Sequence, residues 1–298
     1  MDFSSSLEAT ARISTPILLA GLGEMVLERS GMINIGIEGV MLGGAFFGFC
    51  AGWASGSPLI GAAAGMLAGA IMMSVYALVT LRFKADQIVT GMAINLLALG
   101  ITGTAYLAIT RSYPDARAVT FEPVAPSLSE IPLLGPLLFS QTVITWAALL
   151  LIPLIWFYLE RSERGLELRA VGEHPAAAES SGIRVLFTRY KACLAAGVLC
   201  GLGGAFLTIS QTAFFANNCT RGRGFVALAA VVLGLYGSFG TAAACLFFGA
   251  AFYARDAFPG ASLPTDIVEM LPYLLTVVAL CLRSKARGAP AALGKPYG

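Results

Sequence analysis

Side chains able to do chemistry are few in this 298-residue chain, and their spacing narrows what they can do. There is one histidine, His174, and the six cysteines (Cys50, Cys193, Cys200, Cys219, Cys245 and Cys281) include no CxxC pair. Zinc and iron–sulfur sites need several such ligands at short spacing, so no metal site is expected and the cysteines read as small packing residues. One histidine without a Ser/His/Asp set leaves no catalytic constellation, so the chain does not read as an enzyme. No GxxxxGK[ST] phosphate loop occurs, because Gly294-Lys295 is followed by Pro296, and the means to bind ATP must lie on another chain. Two acids, Glu24 and Glu38, stand within apolar stretches. An ionisable group inside a membrane costs at least ~2.5 kcal/mol, so each should be paired, protonated or turned toward water. Glu38, set between Gly36 and Gly39, suits a broken helix, where it either faces a pathway or accepts backbone N–H bonds.

The elements that position these groups follow from composition. The chain is 57% hydrophobic and 12% charged, against roughly 25% charged in soluble domains. Apolar stretches of about twenty residues, such as 58–81, are apolar all round, which fits membrane helices and not the alternating pattern of a transmembrane barrel. The expected fold is all-α, a polytopic transmembrane helical bundle forming one domain over 1–298. Candidate spans lie near 13–27, 35–54, 58–81, 86–110, 138–159, 190–209, 225–237, 238–256 and 266–282, giving eight to nine. The stretches 13–27 and 225–237 are too short for a full crossing and read as half-helices or re-entrant pieces. Asp2, Glu8 and Arg12 before the first apolar run do not make the basic head of a signal peptide.

With every span crossing, thirteen lysines and arginines fall on one face and six on the other, which makes the first face cytoplasmic. The N-terminus is then outside, the C-terminus inside, the Pro-rich loop 111–137 outside and the charged loop 160–190 inside. A near-neutral balance of 19 basic against 17 acidic residues gives no field for nucleic acid. Two Gly-interrupted apolar segments, 34–44 and 222–234, form a weak internal pair, and such pairs point to a transporter's pathway. Asn34, Glu38, Asn95 and Phe225 are the pathway candidates; Gln87, Asn217 and Asn218 add amides that equally serve to join helices. Glycines at four-residue steps, 44/48/52, 61/65/69 and 197/201, imply close helix packing, within the bundle or on a face for a partner.

The loop 160–190 contains a helix signal of its own. Pro175 suits a first helical position, three alanines propagate the helix, and Gly182 suits a left-handed cap. A helix of about two turns is marginal alone and needs a surface to rest on. The stretch Gly172-Glu173-His174-Pro175-Ala176-Ala177-Ala178-Glu179-Ser180-Ser181-Gly182-Ile183 resembles the coupling-helix motif of ABC importer permeases of the branched-chain amino acid and simple-sugar type. Within that family it is most similar to the nucleoside-uptake permeases that work with basic-membrane-protein-like lipoproteins. Glu28-Arg29-Ser30-Gly31-Met32-Ile33-Asn34-Ile35-Gly36-Ile37-Glu38-Gly39, Thr90-Gly91-Met92-Ala93-Ile94-Asn95-Leu96-Leu97 and Arg221-Gly222-Arg223-Gly224-Phe225-Val226-Ala227-Leu228-Ala229 resemble further signatures of that subgroup. The resemblance implies a permease subunit in the bacterial inner membrane, paired with a second homologous permease as a heterodimer. It also implies an external binding lipoprotein and a cytoplasmic ATPase that holds ATP and Mg, with no cofactor in this chain. ATPase coupling would fall to Glu173, His174, Pro175, Ala176, Ala177, Ala178, Glu179, Gly182 and Ile183, and the cargo to nucleosides, with riboflavin or simple sugars as alternatives. An ion-coupled secondary transporter is the reading of another class.

Overall fold

The computed structural model describes residues 3–124, 140–257, 277, 281 and 288–297. The regular structure among those residues is helical, with no strand. In chain order the helices are α1 (Phe3–Arg29), α2 (Ile37–Ser55), α3 (Pro58–Ala77, continued by a π turn at Leu78–Arg82), α4 (Gln87–Ser112), α5 (Val143–Arg161), α6 (Glu163–Glu173), α7 (Pro175–Ser180), α8 (Val185–Phe206, continued by a π turn at Leu207–Thr212), α9 (Arg223–Leu233) and α10 (Ser238–Ala257). Five of them have the length and apolar character to cross a membrane: α2, α3 with its π turn, α4, α5, and α8 with its π turn; Arg223–Leu233 and Ser238–Ala254 are apolar and shorter.

Local chemistry sets the boundaries. Asp86 caps α4 by accepting from the Ile88 and Val89 amides at 2.9 Å, and Ser162 caps α6 by accepting from Gly165 N at 3.0 Å. Pro58 opens α3 at a position where no amide is lost.

The expected half-helix at 13–27 is corrected by the fold: it is the second part of α1, 27 residues long. Glu8, Arg12 and the hydroxyls of Thr10, Ser14 and Thr15 make the first part look polar. Yet each hydroxyl donates to the carbonyl one turn back, so those groups are satisfied without leaving the helix. The interruption falls instead at residues 30–36. The short stretch expected at 225–237 is short, at eleven residues in α9. The candidate span 266–282 lies outside the described residues apart from two isolated positions.

α1 runs through the middle of the bundle, packed on α8, α9, α10 and α5, while α2 and α3 close on α8. The glycine steps serve this packing within the chain. Gly65 and Gly69 of α3 meet Gly197 and Gly201 of α8 backbone to backbone, so a Cβ at Gly201 would collide with the Gly65 carbonyl. Replacing Gly201 by valine should lower the melting temperature of the purified protein by on the order of 5 °C, the effect of overpacking a tight contact. Gly100→Ala, where a Cβ meets open space, should leave it unchanged in the same melt.

Candidate functional site

Residues 30–36 leave the helical path between α1 and α2, and side chains from four helices take up their backbone groups. Ile33 N donates to Gln87 Oε1 at 2.9 Å, Asn34 N to Glu24 Oε1 at 3.0 Å, and Gly36 N to Asn34 Oδ1 at 2.8 Å. The Tyr76 hydroxyl donates to the Ile33 carbonyl, and Asn95 Nδ2 donates to the Ile35 carbonyl at 2.9 Å. Asn95 Oδ1 accepts from Gly39 N at 2.6 Å, holding the first turn of α2 to α4. A backbone break inside a membrane bundle is tolerable only when its amides and carbonyls are satisfied, and here side chains take the amides of Ile33, Asn34 and Gly36 and the carbonyls of Ile33 and Ile35.

The second break, 213–222, precedes α9 and turns through left-handed backbone at Asn218 (φ +56), Arg221 (φ +45) and Gly222 (φ +77). The two breaks meet at Glu38. Its Oε1 accepts from the Thr220 hydroxyl at 2.6 Å and from Gly222 N at 2.7 Å, and its Oε2 accepts from Gly224 N at 2.7 Å. Glu38 also lies in the first turn of α2. One carboxyl group therefore sits at the N-termini of two helices, where free amides and both helix dipoles favour negative character. Gly224 makes this possible, because a Cβ there would fall 2.7 Å from Glu38 Cα.

The structure thus brings together three of the four pathway candidates. Asn34 is fully buried and Glu38 nearly so, and with Asn95 they hold backbone, whereas Phe225 is half-exposed beside them on α9. Of the amides, Gln87 belongs to the same network, and Asn217 lies near Gly103 of α4. A cleft of about 630 Å³ between α1, α5, α6 and α8, walled by Val26, Leu151, Ile155 and Val198, lies among none of them.

At the end of the bundle where α5 meets α8, the loop carries two helices. α6 is absent from the sequence reading because its apolar residues follow no clear stripe. Glu173 ends α6, His174 is the hinge between α6 and α7, and Pro175 to Ser180 form α7. Gly182 takes φ +88, the left-handed closure of a helix end. Ala178 is buried with Val171 and Val185, Ile183 packs beside them, and Ala176, Ala177 and Glu179 face outward. The chain supplies part of the surface α7 needs, and an apolar alanine face is left uncovered.

Two further groups escaped sequence reasoning. Arg189, on α8, is fully buried, donating from Nε to the Ser30 carbonyl at 3.2 Å and from Nη1 to the Lys295 carbonyl at 3.3 Å. Segment 288–297, to which the sequence reading assigned no role, packs on the loop. Among the described residues no group of three or more His, Cys, Asp or Glu could hold a metal ion.

Broken helices that meet inside a helical membrane bundle, beside an exposed loop helix, are the architecture of a membrane transport protein. Residues 6–280 match the family described as the permease component of the branched-chain amino acid transport system, and the chain belongs to that family. It is similar to the guanosine ABC transporter permease NupQ of Bacillus subtilis, 38% identical over 97% of this chain and 95% of that protein. It is also similar to the nucleoside ABC transporter permease NupC of Lactococcus lactis, 33% identical over 95% and 93%. A provisionally assigned glucose ABC transporter permease of Haloferax volcanii, TsgC13, is 36% identical over 78% of this chain and 71% of its own length. The fold is shared with an ABC transporter provisionally assigned to the metal-chelate type and solved in an inward-facing conformation, at a TM-score of 0.53 and 14% identity, over 93% of this chain and 85% of that one.

Proposed function

We propose that the chain carries nucleosides through the bacterial inner membrane as one permease of an ATP-driven importer. The observation that carries the reading is the 38% identity to a guanosine permease along nearly the whole of both chains. The α6–α7 end is the cytoplasmic face, since thirteen of the nineteen lysines and arginines group there if all nine candidate spans cross. There α7 and its flanks, Glu173 to Ile183, rest on an ATPase that binds ATP and Mg, and this chain needs no cofactor. The exposed apolar face of α4, with Val89, Met92, Leu96 and Leu97, suits lipid or a second, related permease. An external binding lipoprotein selects the cargo, so the permease needs few strong contacts, and Phe225 beside the joined helix breaks is placed to stack on a base or ribose in passing.

Reconstitution of the permease with its ATPase, partner permease and binding protein in liposomes tests this. Guanosine uptake should require ATP and be competed by unlabelled nucleosides, with glucose and riboflavin leaving it unchanged. A sugar cargo, favoured by the TsgC13 similarity, would show as ATP-dependent glucose uptake instead. Uptake by the single chain without nucleotide would remove the importer reading.

A further inference from the structure

Segment 288–297 lies across the α6–α7 loop and the first helix break, and its bonds run to both. Toward the loop, Ala292 N donates to the Gly172 carbonyl at 3.0 Å, and Ala291 N to Glu173 Oε2 at 3.1 Å. The Tyr297 hydroxyl donates to Glu179 Oε2 on α7 at 2.6 Å, and the Tyr297 ring packs against the Val171, Ala178 and Val185 cluster. Toward the break, Gly294 N donates to the Gly31 carbonyl at 3.0 Å. Between the two stands Arg189, whose guanidinium lies 5.8 Å from the Tyr297 ring and donates to the carbonyls of Ser30 and Lys295. Gly31 (φ +87) and Gly294 (φ +72) supply the turns that bring the strands of chain together. Gly172 closes the contact, since a Cβ there would strike the Arg29 carbonyl.

We infer that residues 288–297, with Arg189, are a transmission strap that ties α7 to the Ser30–Gly36 break and so to Glu38 and α9. α7 is only six residues long, and its own hydrogen bonds do not fix its place. Covalently it leads into α8, whereas the strap, touching α7 through Tyr297 and α6 through Ala291 and Ala292, joins the loop with Arg189 to the break through six hydrogen bonds and two contacts of the Tyr297 ring. A packed, hydrogen-bonded bridge of this kind passes a displacement as a rigid link rather than absorbing it. Tyr297 and Arg189 are positioning residues: they act on the pathway through the break.

The inference rests on α7 being the docking point of the ATPase, and the test separates the two. In the reconstituted importer, deletion of 291–298 and Tyr297→Ala should co-purify with the ATPase and hydrolyse ATP at the wild-type basal rate. Cargo moved per ATP hydrolysed should fall by about tenfold, within the usual range of site-to-site coupling. Tyr297→Phe, which keeps the ring and loses only the bond to Glu179, should fall between the two. An unchanged ratio in the deletion variant, or loss of ATPase co-purification, overturns the strap. If the deletion variant fails to fold, the Tyr297→Phe ratio decides alone, and a wild-type value sinks the inference. Ala177→Glu in parallel marks the docking reading: if it too leaves uptake intact, that reading has failed, and if only the strap variants are silent, the strap has.

Discussion

Glu38→Leu is expected to prevent assembly of a functional permease, and Glu38→Gln to leave it folded with part of its uptake. Leucine removes the acceptor for three donors, the Thr220 hydroxyl and the Gly222 and Gly224 amides. Each donor left buried without a partner costs roughly 1–3 kcal/mol, and three together rival the roughly 5–15 kcal/mol by which a domain is stable. Glutamine offers one oxygen and one NH₂ group. Its oxygen can keep Thr220 and Gly222, but its NH₂ then faces the Gly224 amide, donor against donor. One lost partner costs about 1–3 kcal/mol, so the melting temperature should drop by several degrees while transport persists. A thermal melt in detergent and uptake in proteoliposomes read both outcomes. Full stability and uptake in the leucine variant would remove Glu38 as the joint between the two breaks.

The second large effect is expected at Ala177. A glutamate there projects from the outward face of α7, where it disturbs nothing inside the chain, because the helix packs through Ala178. ATP-driven uptake should fall below about a tenth of wild type, as expected when a charge is buried against a partner surface, with expression and melting temperature unchanged. Ala178→Glu gives the contrast. It pushes a charge between Val171 and Val185 and should destabilise the protein itself. Equal melting temperatures for the two variants would show that α7 is not oriented as described, and normal uptake by Ala177→Glu would remove α7 from coupling.

Much of this was legible from residue types. The all-helical membrane bundle follows from apolar stretches of about twenty residues, and α7 from a proline, three alanines and a glycine in order. Glu38 stood out as an acid among glycines, with its two roles left open; the geometry favours the structural one, since both oxygens hold α9. What stayed hidden is what depends on partners distant in sequence. Nothing around residue 30 announces that Gln87, Tyr76 and Glu24 will satisfy a broken backbone, because each looks like an ordinary helix residue in its own segment. α1 was cut short for a related reason: its hydroxyls and charges lower the local hydropathy, while their satisfaction by the helix's own carbonyls is invisible in composition. Arg189 reads as one more basic residue of a charged loop, and only folding places it in the interior between Ser30 and Lys295.

The joint at Glu38 has a consequence for how the chain is made. Glu38 and the amide of Gly222 are 184 residues apart, so α2 is synthesised long before the helix end that completes it. At roughly 5–20 residues per second, translation needs roughly ten to forty seconds to bring the two together. Through that interval the growing protein holds an acid whose three donors, the Thr220 hydroxyl and the Gly222 and Gly224 amides, have yet to be made. A product released before Gly222, nearly three quarters of the chain, keeps this carboxyl without its α9 donors, so the joint between the two breaks is left to the last third of the polypeptide.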